Sequence, residues 1–387
     1  MTELSSHLKS AFKSLLGDKG CIDDPDQIKS HTDDWRGNYK GYSPLLLKPA
    51  STEEVSEIMK LCSANQIGVT PQSGNTGLVN GGVAYGEVVL SLQRMDTVRA
   101  VDPYNNSMVA EAGCILSNIH NAADQVDRFF PLHLGSQGTA RIGGLISTNA
   151  GGVAVLRYGM MRDLMLGMEV VLADGRVWDG LSGLRKDNTG YDLKHLFCGA
   201  EGTLGVVTAA TLKLFPVPKT ATAWLALNSV EDAVKLLSLV RSKVGDAVTG
   251  FEFMPKAAVE LTSREIDNIR DPLPHEAPWR ILLEVSLPSV EHATAALEAA
   301  VESAFETDLI TDGVIAQSVS QSQSFWHVRE SIPLVKRTYM TSVNHDISVP
   351  VSRVAEFLDR ARTEILEFLP GCETVAFGHL GDGNVHY

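Results

Sequence analysis

The sequence predicts an α+β chain in two parts, and three observations carry that expectation. The 33 glycines crowd between Gly68 and Gly205, where short β-like segments alternate with helical ones. Beyond about Thr220 the glycines thin out, and two successive strand-helix-strand patterns suggest a ferredoxin-like sheet backed by helices. The chain has 387 residues, of which 44% are apolar, enough for the cores of two or three domains at roughly 150 residues each. Three segments are expected: a helical N-terminal stretch over 1–36, a glycine-rich domain over 37–217, and a C-terminal domain over 218–387.

In order along the chain, TEEVSEIMKLCSANQ reads as a helix behind a capping Thr52, with Val55, Ile58, Met59 and Cys62 at helical spacing. IGVTPQ, EVVLSL and MVAEAG read as strands, LSNIHNAADQV as a helix, and LGMEVVLADGRVWDG as two strands around an Asp174-Gly175 turn. In the second half, ATAWLALN, AVTGFEFM, WRILLEVSL and LITDGVIA read as strands. The two helices among them start behind Ser229 and Ser289, with acids in the first turn. QSFWHVRESIPLVKR and VAEFLDRARTEILEFL read as helices on either side of a short strand in HDISVP. The chain then finishes on ETVAFGHLGDGNVHY, which reads as a domain truncated at its C-terminus, because a new turn there lacks a closing element.

Charge and composition exclude several functions. Against 47 Asp and Glu stand 33 Lys and Arg, and the net charge of −14 repels phosphate backbones, so no nucleic-acid partner is expected. No apolar run reaches the ~20 residues of a membrane span, and the N-terminus lacks a secretory signal, so a cytoplasmic protein is expected. Five scattered cysteines without a C-x-x-C pair read as reduced packing residues. Trp178, Trp224, Trp279 and Trp326 read as core, and His133 and His195 as structural hydrogen-bonding groups.

The glycine loops carry the chemistry. Neither G-x-G-x-x-G nor G-x-x-x-x-G-K-[ST] occurs, which disfavours NAD. PQSGNTGLVNGG, from Pro71 to Gly82, follows a strand, and its small residues let consecutive N–H groups form a nest for an anion. Read alone, the same stretch is equally a tight surface turn. HLGSQGTARIGGLISTNAGG adds six glycines with hydroxyl and amide donors, and GAEGTLGVVT adds a third such loop. Three of them in one region are hard to explain as turns only.

The stretches DWRGNYKGYSP, PQSGNTGLVNGG, IGGLISTNAGG, VLRYGMMRDLMLGMEVVLADG, LRKDNTGYDLKHLFCGAEGTLGVVTAATLKLFP and FGHLGDGNVH resemble a known family. It is the FAD-binding D-2-hydroxyacid dehydrogenases, which include D-2-hydroxyglutarate, D-lactate and glycolate dehydrogenases and carry the p-cresol methylhydroxylase and vanillyl-alcohol oxidase type of FAD domain. The resemblance implies an α+β fold: a two-lobed FAD-binding domain followed by a ferredoxin-like FAD-linked oxidase cap. It implies non-covalent FAD lined by Pro71, Gly74, Asn75, Thr76, Gly77 and Leu78 at the pyrophosphate. Around the rest would stand Ser136, Gly138, Thr139, Gly143, Gly144, Ser147, Asn149, Gly152, Glu201, Gly202 and Val207.

The chain's end supplies the remaining candidates. A two-residue turn at Asp382-Gly383 would set His379 directly opposite His386, so that both imidazoles reach one side. By themselves these are equally ordinary sheet histidines, since a metal site normally takes three or four ligands. In the family, the segment similar to HLGDGNVH binds a divalent metal, zinc or manganese, completed by a carboxylate farther downstream that this sequence does not contain. The resemblance gives Arg329 the task of holding the substrate carboxylate, and makes Arg329, His379 and His386 the catalytic candidates. Two positions depart from the family: Asn344 stands where it has Lys, and Pro333 where it has Thr, so a dicarboxylate is no longer favoured over a smaller 2-hydroxy acid. The implied partners are a small 2-hydroxy acid and an electron acceptor such as an electron-transfer flavoprotein or quinone-linked carrier, with a homodimer allowed. Two other readings share the FAD domain: an alkylglycerone-phosphate-synthase-like transferase, and a catalytically silent FAD-binding fragment.

Overall fold

The helix Thr52–Ala64 shows how local sequence sets the first part of the structure. Its buried Val55, Ile58, Met59 and Cys62 lie on one stripe, as the spacing requires. The cap is Ser51, whose Oγ accepts from the Glu54 amide at 3.2 Å, while Glu54 reaches back to the Ala50 amide at 2.7 Å. Thr52, the expected cap, is the first helical residue, and its hydroxyl donates instead to Glu169 Oε1 at 2.7 Å. Two adjacent hydroxyl residues both suit a cap, and the tertiary contact to Glu169 decides between them.

The computed structural model describes residues 4–339 and 342–387. They fall into two compact units, one made of 1–152 and 159–217, the other of 153–158 and 218–387. The first unit contains a four-stranded sheet and a five-stranded sheet. In the four-stranded sheet, Leu46–Leu47 and Val69–Gln72 both run parallel to Val88–Ser91. Its apolar core takes Phe12 and Leu16 from the helix Ser6–Gly20 and packs Val88 and Leu90 under Thr52–Ala64. The five-stranded sheet is antiparallel throughout and includes the hairpin Met165–Val171 with Val177–Gly180. Gly175 takes φ +83° in that hairpin's turn, where a side chain would be strained.

In the second unit, strands Lys219–Leu227, Val248–Pro255, Trp279–Leu287 and Asp312–Ile315 stand in spatial order fourth, first, third, second. That order is ferredoxin-like, with the helices Val230–Val244 and Val290–Glu306 covering one face. Both helices start where the sequence places them, since Ser229 Oγ accepts from the Asp232 amide and Ser289 Oγ from the His292 amide. Three further strands, Phe377–His379, Asn384–His386 and Asp346–Ser348, extend the sheet beyond Val248–Pro255. Alternation along Val248–Pro255 sends Phe251 and Phe253 into the core under the two helices. Glu252 and Met254 therefore face the other side, where the helices Val319–Tyr339 and Lys256–Glu265 pack.

Candidate functional site

Three glycine loops of the first unit converge although they are far apart in sequence. A Cβ on Gly74 would lie 2.6 Å from the Thr139 carbonyl oxygen, so the first loop presses backbone to backbone against the second. The third loop joins both: the Gly199 amide donates to Ile146 O at 3.1 Å and the Glu201 amide to Ser147 O at 2.9 Å. Gly202, at φ +80°, leaves only 3.1 Å between an added Cβ and Pro71 Cγ. Asn75, Asn149 and Glu201 all take positive φ, each at a bend of one of the loops.

The first loop presents a run of uncommitted backbone donors. Among the described residues, no protein acceptor takes the N–H groups of Gly74, Asn75, Thr76, Gly77 or Leu78. Gly74, Asn75 and Thr76 are half-buried, while Gly77 and Leu78 are exposed. Successive uncommitted amides without a bulky side chain between them provide partial positive charge that phosphate oxygens can approach closely. Behind the loop, Asn75 Nδ2 donates to Asp33 O at 3.1 Å, and Gln72 ties to both ring and backbone of His31. Those supports come from the N-terminal helical stretch, and nothing in the sequence marked them.

The second loop presents Ser136, Gly138 and Thr139 before the short helix Ile142–Ser147, which carries Gly143 and Gly144. Gly143 is buried against Ala112, and the half-buried Gly152 packs against the His133 carbonyl, where no side chain fits. Asn149 is partly spent, because its Oδ1 accepts from the Arg162 amide at 2.9 Å. Val207 is 4% exposed within its strand, so its side chain belongs to the interior. His133 stacks between His120 and Phe129 at ring distances of 4.5 and 5.4 Å. Burial drives the His120 imidazole down to about 4, which keeps it neutral.

In the second unit a polar cluster lies on the sheet face under Val319–Tyr339. Glu252 sits directly across the ladder from His379 and is 1% exposed. Its Oε1 is 2.7 Å from His379 Nδ1, and its Oε2 is 2.9 Å from Arg329 Nε and 2.8 Å from Arg329 Nη2. Burial alone would raise the Glu252 carboxyl, but His379 and Arg329 outweigh it and hold the group below its ordinary value. Burial likewise works to lower His379, and the charge and hydrogen bond of Glu252 more than reverse this, so its net shift is upward.

The hairpin register differs from expectation. A four-residue loop, Leu380–Gly383, replaces the two-residue turn, so His379 faces Asn384 and Phe377 faces His386. The amides of Asp382 and Gly383 both turn back to the His379 carbonyl, and Gly383 takes φ +82°. Because His386 lies two residues from Asn384, both histidines still share one face as diagonal neighbours. Their rings are 5.3 Å apart and nearly perpendicular. His386 Nδ1 lies 3.3 Å from Asp346 Oδ1, so each imidazole has a carboxylate at Nδ1 and, among the described residues, leaves Nε2 uncommitted. A carboxylate behind each ring is the arrangement that orients histidines toward a divalent cation. Among the described residues, however, no group of three or more His, Cys, Asp and Glu side chains converges as a metal centre.

Two cations flank the same aromatic ring. Arg329 Cζ is 5.0 Å and Lys336 Nζ 5.6 Å from the centre of Phe377, which itself is 5.1 Å from the His386 ring. With Nε and Nη2 given to Glu252, Arg329 has Nη1 uncommitted among the described residues. Lys336 forms no ion pair among the described residues, and burial pulls its ammonium below the ordinary lysine value. Asn344 is exposed and donates to Ser342 Oγ, and Pro333 lies within the continuous helix on its exposed side. Trp224 is fully buried, and Trp326 donates its ring N–H to the half-buried Glu284.

Glu252 and Lys336 are absent from the sequence-derived candidates. An acid between Phe251 and Phe253 in a strand with a buried face was the available signal for Glu252.

Comparison with known proteins agrees with this division. Residues 43–180 match the FAD binding domain family, and residues 218–387 match the C-terminal domain of FAD linked oxidases. The chain is 42% identical over 387 residues to a probable D-2-hydroxyglutarate dehydrogenase, mitochondrial, of Oryza sativa subsp. indica, covering 99% of this chain and 68% of that one. To the D-2-hydroxyglutarate dehydrogenase, mitochondrial, of Arabidopsis thaliana it is 37% identical over 389 residues, covering 100% and 69%. Among solved structures, a p-cresol methylhydroxylase with substrate bound superposes with TM-score 0.75 at 16% identity, covering 98% of this chain and 82% of the other. An alkyldihydroxyacetonephosphate synthase gives 0.74 at 17%, covering 99% and 80%. These structural likenesses establish a shared fold. The cytoplasmic location expected from the N-terminal sequence is overturned by the relatives, whose names place them in mitochondria. No described helix is long and apolar enough to cross a membrane.

Proposed function

The chain belongs to the FAD-binding D-2-hydroxyacid dehydrogenase family and is an FAD-dependent 2-hydroxyacid dehydrogenase, and from that premise we propose which residues carry the reaction and which acid it oxidises. FAD supplies the acceptor for the hydride that leaves the α-carbon of the substrate. Gly74, Asn75, Thr76, Gly77 and Leu78 would hold its pyrophosphate through the uncommitted amides of the first loop, with Pro71, which has no N–H, lining it. The second and third loops, with Ser136, Gly138, Thr139, Gly143, Gly144, Ser147, Asn149, Gly152, Glu201, Gly202 and Val207, enclose the remainder of the cofactor.

Arg329, His379 and His386 act on the substrate. A hydroxy-acid carboxylate brought out of water needs a cationic donor, and Arg329 offers Nη1 while Glu252 fixes its other edge. His379 and His386 present Nε2 atoms from one face, a donor set suited to zinc or manganese. Such a cation, when bound, would lower the cost of removing the hydroxyl proton. The single observation that carries this reading is the Glu252 bridge, which joins the cation and a histidine in one buried cluster.

Lys336 supports a substrate with two carboxylates. It is a half-buried cation without an ion-pair partner among the described residues, beside the same ring as Arg329. It offers a positive charge where Asn344 does not, so D-2-hydroxyglutarate is preferred here over D-lactate or glycolate. A mitochondrial location replaces the cytoplasmic one. The acceptor that reoxidises the flavin is an electron-transfer flavoprotein or quinone-linked carrier.

The test is dye-coupled turnover over a panel of D- and L-2-hydroxy acids, before and after treatment with a chelator. The reading expects D-2-hydroxyglutarate to give the highest kcat/KM, with loss on chelation and recovery on adding zinc or manganese. Full turnover in chelator would remove the metal from the proposal, and equal rates with both enantiomers would remove the substrate assignment.

A further inference from the structure

We propose that Glu252 is a positioning residue: it decides which nitrogen of His379 carries the proton and holds Arg329 to a single free edge. The inference deepens the dehydrogenase reading and rests on it for what those two side chains then do.

The geometry assigns one carboxylate oxygen to each partner. Oε1 lies 2.7 Å from His379 Nδ1, and Oε2 takes both Nε and Nη2 of Arg329 at 2.9 and 2.8 Å. The antiparallel ladder sets Glu252 directly opposite His379, and the side chain is 1% exposed, so water does not compete for either oxygen. An ionised carboxylate can only accept hydrogen bonds. Neutral His379 must therefore carry its proton on Nδ1 and present the Nε2 lone pair. A guanidinium can only donate, so Arg329 is tied to Oε2 with no alternative orientation.

This makes a one-atom change unusually informative. In Glu252→Gln, Arg329 still requires an acceptor and claims the amide oxygen. The amide NH2 then points at His379 Nδ1, which must accept. The imidazole proton moves to Nε2, where it blocks the nitrogen that wild type leaves open. A residue that merely filled space would tolerate this near-isosteric replacement.

The experiment uses the full flavin-loaded chain with 15N-labelled histidine, in buffer alkaline enough that His379 is neutral. Its signal is assigned by its disappearance in His379→Gln. Wild type is expected to show the proton on Nδ1, and Glu252→Gln to show it on Nε2. Zn2+ alone, titrated into both proteins, is expected to bind Glu252→Gln about 10–100-fold more weakly. The proposal is overturned if wild-type His379 carries its proton on Nε2, if a folded Glu252→Gln keeps the wild-type tautomer, or if zinc affinity is equal. Should Glu252→Gln fail to retain flavin, the wild-type spectrum alone decides. The tautomer does not depend on substrate oxidation, so failure of the dehydrogenase reading in the turnover panel is distinguishable from failure here.

Discussion

Arg329 serves two masters, and its truncation separates them. Two of its nitrogens are committed to the buried Glu252, so Arg329→Ala leaves that carboxylate with His379 as its remaining partner in the interior. Breaking such a pair costs about 3–5 kcal/mol. Denaturant titration is expected to show a loss of that order, and loss of activity in this variant therefore does not isolate substrate binding. Lys336→Met is the cleaner probe, since Lys336 has no ion-pair partner among the described residues. It is expected to raise KM for D-2-hydroxyglutarate about tenfold while leaving D-lactate nearly unchanged, as one charge-assisted contact is worth roughly 1.5–3 kcal/mol before solvent screening. An equal effect on both acids would contradict the role. Gly202→Ala forces a side chain onto φ +80° and against Pro71, and is expected to release flavin on gel filtration. Of these residues the sequence made Arg329 and Gly202 legible through motif likeness. Lys336 was not legible, because only the packing of its helix over Phe377 reveals what it faces.

The sheet face under Val319–Tyr339 holds a second, half-buried acid that behaves oppositely to Glu252. Glu284 accepts from Trp326 Nε1 at 3.0 Å and Thr249 Oγ1 at 2.8 Å, with no ion-pair partner among the described residues. Burial therefore outweighs these bonds and raises its carboxyl above the ordinary value of 4.5. The unfolded chain ionises from that value upward while the native side chain keeps its proton, so stability falls as pH rises toward the native pKa. Glu284→Gln is expected to gain on wild type in melting temperature as pH rises from about 5. A constant difference as pH rises would contradict the raised pKa. At this scale the sequence was informative where signals are local: Ser229 and Ser289 cap their helices, and Gly175 turns its hairpin. It misassigned the Leu380–Gly383 loop, where a dipeptide typical of tight turns occupies the end of a longer one.

Across the whole molecule, the alternation of strands and helices made the α+β class and the ferredoxin-like order readable, since consecutive strand-helix-strand units admit few topologies. What remained hidden is the meeting of residues far apart in the chain. Gly74 against Thr139, Gly202 against Pro71, and Glu252 against both Arg329 and His379 are long-range contacts that no local pattern encodes. Loops that exclude side chains where backbones meet, and a buried acid that aligns a cation with a histidine, are the cofactor cradle and the hydroxy-acid handler of the function proposed above. Anaerobic mixing of the yellow protein with D-2-hydroxyglutarate tests that account most directly. Complete bleaching of the flavin's blue absorbance, with one 2-oxo acid formed per flavin, is the predicted result. Protein that carries flavin yet stays yellow with every D-2-hydroxy acid offered would contradict it.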